Sequence, residues 1–183
     1  MTVERGRPSD VESRLEVEIR SYELLDSLGI EYERADHEPC MTMEACEAVD
    51  LALGVKTAKN LLLTNRQQTD FYLLLMPGDK PFKTKHLSAQ LGTARLSFAS
   101  AEQMTELLGV TPGSLTVLGL MNDTECRVSL VIDSEILSES EFGCHPCINT
   151  STLKFKTEDL TEKLIPKMKH SFVTVDLKRE EEL

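Results

Sequence analysis

At 183 residues, 40% hydrophobic and 28% charged, the chain can build one domain with a proper core and has no need of a second. Its apolar stretches, such as Phe71 to Met76, are strand-length, well short of the roughly 18 residues of a membrane helix. Met1 to Asp10 lacks the apolar centre of a secretory leader, so a cytoplasmic location is expected. Five scattered cysteines (Cys40, Cys46, Cys126, Cys144, Cys147) exclude a secreted disulfide framework, and a net charge of −11 argues against a generally RNA-coated surface.

In chain order, Ser9 and Glu12 have capping-box spacing. Val11, Leu15, Ile19, Tyr22, Leu25 and Leu28 then recur at helical intervals up to Gly29. Residues 30–35 read as a short strand, His37-Glu38-Pro39 as a turn, and Thr42 as the cap of a helix running to Leu53. Residues 61–64 and 71–76 form a hairpin, followed by a helix over 84–91 and a strand over 95–98. Ser100 and Gln103 repeat the capping-box spacing before a helix that ends at Gly109. The turn at 110–113 feeds a predicted strand at 114–118. Further strands are expected at 127–133, 152–155 and 171–175, with a helix at 157–164.

Helices and hairpin-linked strands intermix without long βαβ alternation. The expectation is a single α+β domain over residues 9–177, with a mixed, largely antiparallel sheet and helices packed outside it. Residues 1–8 are expected to be loose, and 178–183 to form a charged tail.

The acidic balance is uneven. Residues 55–100 carry seven basic residues against two acidic ones, including Lys56, Lys59, Lys80, Lys83, Lys85 and Arg95. Attraction to phosphate is local beyond a Debye length of about 8–10 Å, so a basic face can grip the end of an RNA on an acidic protein. An ordinary solvated surface is the competing reading.

Three segments could carry chemistry. Lys59 opens the apolar run TAKNLLL, where an ammonium is solvated, paired or holding a ligand. It could bind a phosphate or carbonyl oxygen as a point charge, act as a base if desolvated, or simply snorkel to water. In GCHPCINT, Pro146 restrains His145 to extended backbone, and His145, Asn149 and Thr150 offer donors and acceptors within one turn. A turn whose side chains satisfy its own backbone is the alternative. Gly109 to Ser114, including Pro112 and Gly113, could present backbone N–H groups as an anion-binding nest or be a plain structural turn. His37 is a candidate pocket-lining side chain, set against a reading as an exposed loop histidine. The Cys144-x-x-Cys147 spacing has no matching second ligand pair, so no metal site and no cofactor are expected.

The segments HEPCMTMEA, TAKNLLL, FYLLLMPGDK, RLSFASAEQMTELLGVTPGSLTVLGLMND and FGCHPCINTSTLKF together span most of residues 22–175. In that order they resemble the YbaK and prolyl-tRNA synthetase-associated family of aminoacyl-tRNA deacylases, in its freestanding form. The resemblance implies a trans-editing enzyme that hydrolyses mischarged tRNA(Pro), with Ala-tRNA(Pro) as the leading substrate. Cys-tRNA(Pro) hydrolysis and a non-catalytic tRNA- or amino-acid-sensing module are the alternatives. It implies that Lys59, with Asn60 and His145, forms the catalytic group and that Gly113 lies in the substrate site; Pro112, Ser114, His37, Asn149 and Thr150, chosen on their own chemistry, are expected to line that site with it. The expected partner is the aminoacylated 3′ end of tRNA(Pro), with prolyl-tRNA synthetase as a second candidate and no membrane. Lys59 and His145 are expected to converge on a hollow sized for a small amino acid.

Overall fold

The computed structural model describes residues 1–40 and 43–179. The elements in order are β1 (Val3–Arg5), α1 (Glu16–Ser27), β2 (Glu33–Asp36), α2 (Met43–Leu53), β3 (Lys59–Thr64), β4 (Phe71–Met76), α3 (Thr84–Leu91), β5 (Ser97–Phe98) and α4 (Ala101–Leu108). They continue with a 3₁₀ segment at Val117–Asn122, β6 (Val128–Asp133), α5 (Ser134–Ser138), β7 (Glu141–Cys144) and β8 (Ser151–Lys156). The chain closes with α6 (Thr157–Asp159), a π-helical turn at Leu160–Leu164, α7 (Ile165–Lys167) and β9 (Phe172–Val175).

The α+β class expected from the sequence is present, but the strands form two sheets rather than one. The first is antiparallel, in the order β1-β2-β8-β7. The second runs β5-β3-β4-β6-β9, antiparallel on the β5 side and parallel from β4 to β9. Pairing between strands distant in sequence leaves no trace in local alternation, which is why the division cannot be read from hydropathy. The parallel strands read FYLLLM and VSLVID because both faces are covered. One face packs with Tyr22, Leu25, Phe142, Leu153 and Phe155 in the main core; the other packs on Leu87 of α3 with Leu63, Leu74, Met76 and Val131.

Other sequence expectations change on folding. Residues 3–5, expected to be loose, hydrogen-bond to β2 as an edge strand. Arg34, almost fully buried on β2, joins Glu4 of β1 to Asp36, which holds the N-terminal segment in place. The Ser9 capping box does not form, because Arg14 takes an extended backbone and binds Asp10, Glu18 and Asp36. The helix therefore starts only at Glu16. The box at Ser100 and Gln103 does form. The strand expected at 114–118 is replaced by the 3₁₀ segment, opened by the Thr116 hydroxyl accepting from Leu118 N. A short apolar run does not by itself distinguish strand from helix. The Thr42 cap lies outside the described residues, and β7 and α5 carry no local signal strong enough to predict them.

The sheets touch where Thr57 bridges Gly143 and Ala58 N donates to Gly143 O at 3.0 Å. Asp50 of α2 secures this segment by accepting from Thr57 N at 3.1 Å and Thr57 Oγ1 at 2.5 Å. A Cβ at Gly143 would sit 3.1 Å from Thr57 Cα and 3.1 Å from Val55 Cγ1. Gly143→Ala must push the sheets apart locally, and overpacking of this kind costs about 1–3 kcal/mol. Denaturant unfolding should show that loss as a lower midpoint with an unchanged m-value.

Candidate active site

β3 begins immediately after the contact with Gly143, and the β7–β8 turn begins immediately beyond it. The two segments most distinctive in the sequence, Lys59-Asn60 and His145 to Thr150, are therefore anchored to the same backbone junction. Strand alternation then separates the first pair. Lys59 lies opposite Met76 and shares the α3 face of the sheet, whereas Asn60 lies opposite Leu75 and points toward the main core.

Lys59 is half-buried, and its Nζ donates to Lys80 O at 3.3 Å. That carbonyl is fixed by its own side chain: Lys80, 3% exposed, places its Nζ 2.9 Å from Asp133 Oδ2 and 2.8 Å from Glu135 Oε2. Burial opposes the Lys80 charge, but hydrogen bonds to Glu135 and Asp133 prevail and hold its ammonium above the ordinary lysine range. Asn60 Nδ2 donates to Ala58 O at 2.9 Å, which sets the amide orientation because a carbonyl only accepts. Its Oδ1 is left buried without a hydrogen-bond partner. A buried acceptor without a partner costs about 1–3 kcal/mol and stands ready to receive a donor.

The two histidines meet across Thr152. His145 Nδ1 lies 2.9 Å from Ser151 O, and His37 Nδ1 lies 2.8 Å from Glu38 O. Each Nδ1 must therefore carry the proton when its ring is neutral, leaving Nε2 with the lone pair. His37 Nε2 accepts from Thr152 Oγ1 at 2.9 Å, and the same hydroxyl oxygen lies 3.4 Å from His145 Nδ1. The rings are 6.3 Å apart and tilted by 55°. His145 Nε2 makes no hydrogen bond among the described residues. Burial first, and then the neighbouring His37, lower the His145 pKa below its ordinary 6.5, outweighing the hydrogen bond to Ser151 O. His37 is half-buried and tied to the sheet, with its N–H donating to Thr150 O at 3.0 Å. Thr152 carries nothing in sequence to distinguish it from its neighbours in NTST, and only the pairing of β8 with β2 places it between the rings.

Thr111-Pro112-Gly113-Ser114 forms a turn closed by Ser114 N donating to Thr111 O at 3.0 Å, with Gly113 at φ 88°. Pro second and a positive-φ glycine third are the residues that a type II turn requires. The Ser114 N–H is used in closing it, so the turn does not present the run of free N–H groups expected of a nest; Gly113 N–H is left without a partner among the described residues. Pro112 is exposed and Ser114 buried. A Cβ on Gly113 would meet Asn149 Nδ2 at 3.5 Å, so this turn abuts the β7–β8 turn. Thr150 is exposed at the rim.

Among the described residues no hydrogen bond or ion pair links Lys59 to His145. Two surface hollows, of about 700 and 430 Å³, are lined by other residues. Cys144 and Cys147 are buried thiols whose pKa values burial pushes up to about 12 and about 11. A group that reluctant to ionise is a poor nucleophile or ligand.

The profile of the aminoacyl-tRNA editing domain family matches residues 37–163, from the first histidine to the C-terminal helix. The chain belongs to this family. Among editing-domain relatives, the prolyl-tRNA editing protein ProX of Acetoanaerobium sticklandii is 31% identical over 153 residues, covering 84% of this chain and 93% of that protein. The prolyl-tRNA synthetase associated domain-containing protein 1 of Danio rerio is 31% identical over 155 residues, covering 84% and 80%. The proline–tRNA ligase of Methylobacillus flagellatus matches 78% of this chain with only 27% of its own length. A crystal structure described as a proposed trans-editing enzyme for prolyl tRNA synthetase shares the fold, with a TM-score of 0.66 and 15% identity over 91% of this chain and 99% of that one.

A lowered His145 pKa has a signed consequence. The neutral ring is favoured on folding, so its contribution to stability is full above pH 6.5 and declines as the pH falls through the lower folded value. In an NMR titration the His145 ring should take up its proton below pH 6.5, and His145→Gln should flatten the loss of stability over that window.

Proposed function

We propose that this editing-domain protein is an aminoacyl-tRNA deacylase acting in trans on mischarged tRNA(Pro), with Ala-tRNA(Pro) as its substrate. The observation that carries the reading is the junction at Gly143, which sets the Lys59-Asn60 segment and the His145 turn side by side in a chain that matches the editing family across both.

An aminoacyl ester is already activated, so the protein needs no covalent nucleophile. It must hold the ester, stabilise the oxyanion and admit water or a ribose hydroxyl. In this reading the Lys59 ammonium leaves its long hydrogen bond to Lys80 O for the terminal phosphate or ester oxygens. The Gly113 N–H faces the carbonyl oxygen. Asn60 Oδ1 receives the α-ammonium group, and the His145 Nε2 lone pair orients the adenosine end or the attacking hydroxyl. His37, Asn149 and Thr150 line the approach, with Thr152 holding both imidazoles.

The need for such an enzyme follows from magnitudes. A pocket built for proline excludes a smaller apolar residue by only about 1–3 kcal/mol, and a second site that admits alanine but rejects proline repairs the error.

Offered Ala-, Cys- and Pro-tRNA(Pro), the purified protein should release alanine selectively. Selective release of cysteine would reassign the substrate, and binding without hydrolysis would leave a sensing module. Lys59→Ala should lower kcat by about 10²–10³-fold, the loss seen when one charge-stabilising group is removed. Near-normal turnover would remove the lysine from the mechanism.

A further inference from the structure

We propose that the surface formed by the start of α3, Arg95 and the Phe82–Phe98 pair binds the single-stranded RNA adjoining the ester. Lys83, Lys85 and Arg95 hold phosphates, and Phe98 stacks an unpaired base. This rests on the reading that the ester lies at Lys59.

The charge pattern is the first support. From Lys80 to Ala101 the chain has four cations and no carboxylate, although the protein as a whole is strongly acidic. Several other basic side chains are neutralised, such as Lys56 by Asp79, Lys154 by Glu33 and Arg127 by Glu106. Lys83, Lys85 and Arg95 are exposed and carry no ion pair among the described residues. Lys85 and Arg95 flank one hollow of about 430 Å³, which Leu96 N holds together by donating to Ser88 Oγ at 3.2 Å. Asp176, which reaches α3 through Gln90, is paired with Lys178 at 2.8 Å.

The aromatic pair is the second support, and it selects RNA over other polyanions. Phe98 is 60% exposed on the edge strand β5, and its ring packs edge-on against Phe82 with centroids 6.0 Å apart. An exposed aromatic on a firm base beside free cations is the combination that binds single strands, where cations follow the backbone and rings stack bases.

Position is the third. Phe98 pairs with Leu63, four residues along β3 from Lys59 and on the same face. That separation is about 13 Å at strand rise. It corresponds to about four nucleotides of one stacked strand at about 3.4 Å each. Lys83 follows Lys80, whose carbonyl holds Lys59 Nζ, by three residues. A terminus bound at Lys59 therefore leads its own 3′ strand onto this face.

Fluorescence anisotropy with the full chain tests the surface, using an RNA hairpin with a four-nucleotide 3′ overhang, the same hairpin made blunt, and inorganic polyphosphate. The native protein should prefer the overhang, and Phe98→Ala should weaken its binding about tenfold and abolish that preference. The triple variant Lys83→Ala, Lys85→Ala, Arg95→Ala should reduce the slope of log K against log salt by about 2. Lys167→Glu, a charge change on an exposed lysine elsewhere, should leave binding unaltered. Native-like affinity and salt slope in the triple variant would overturn the proposal. So would equal binding of polyphosphate with no effect of Phe98→Ala. If the native chain hydrolyses no aminoacyl-tRNA, the deacylase reading fails separately, while these binding measurements still decide the surface.

Discussion

The backbone contact between Thr57-Ala58 and Gly143 governs the site. It is a small interaction: one bridge, one hydrogen bond and a glycine with no room for a side chain. Its effect is large because it lies at the start of one strand and the end of another, and each leads at once into polar residues. Asp50 stiffens it from α2 through two hydrogen bonds to Thr57. Geometry set by backbone on packed strands is held more tightly than geometry set by a mobile loop.

Around that junction the protein keeps polar groups incompletely satisfied. Asn60 Oδ1 is buried without a partner, and Lys59 makes only a long hydrogen bond to a carbonyl. These are stability costs of the kind that folding normally removes, and two such groups on consecutive residues fit a place that awaits a ligand. By contrast, Lys80, Asp133 and Glu135 are fully paired, which suits a support whose task is to stay still.

The strand alternation at Lys59 and Asn60 puts the two side chains on opposite faces. The Asn60 side looks toward the histidine-bearing hairpin, and the Lys59 side toward α3 and the basic edge. In the proposed reading, an RNA end held at the rim of the sheet would touch both, with its ester turned inward and its strand leading out. In that reading the acidic remainder of the chain, with a net charge of −11 overall, disfavours RNA elsewhere.

Much of this was legible without coordinates. The β3–β4 hairpin, the span of α3, the capping box of α4 and the type II turn at Gly113 all follow from local chemistry: alternation, side-chain acceptors and backbone freedom. So does the contrast between a basic stretch at 55–100 and an acidic whole. Other features depend on pairing between distant segments, which short-range patterns do not record. These are the division into two sheets, the ordering of residues 3–5, the 3₁₀ path at Val117–Asn122, and Thr152 between two histidines. Residue type and spacing chose the groups available for chemistry. Only the packing of one sheet on the other decided which of them meet, because a side chain's neighbours across a core are set by long-range register and not by its place in the chain.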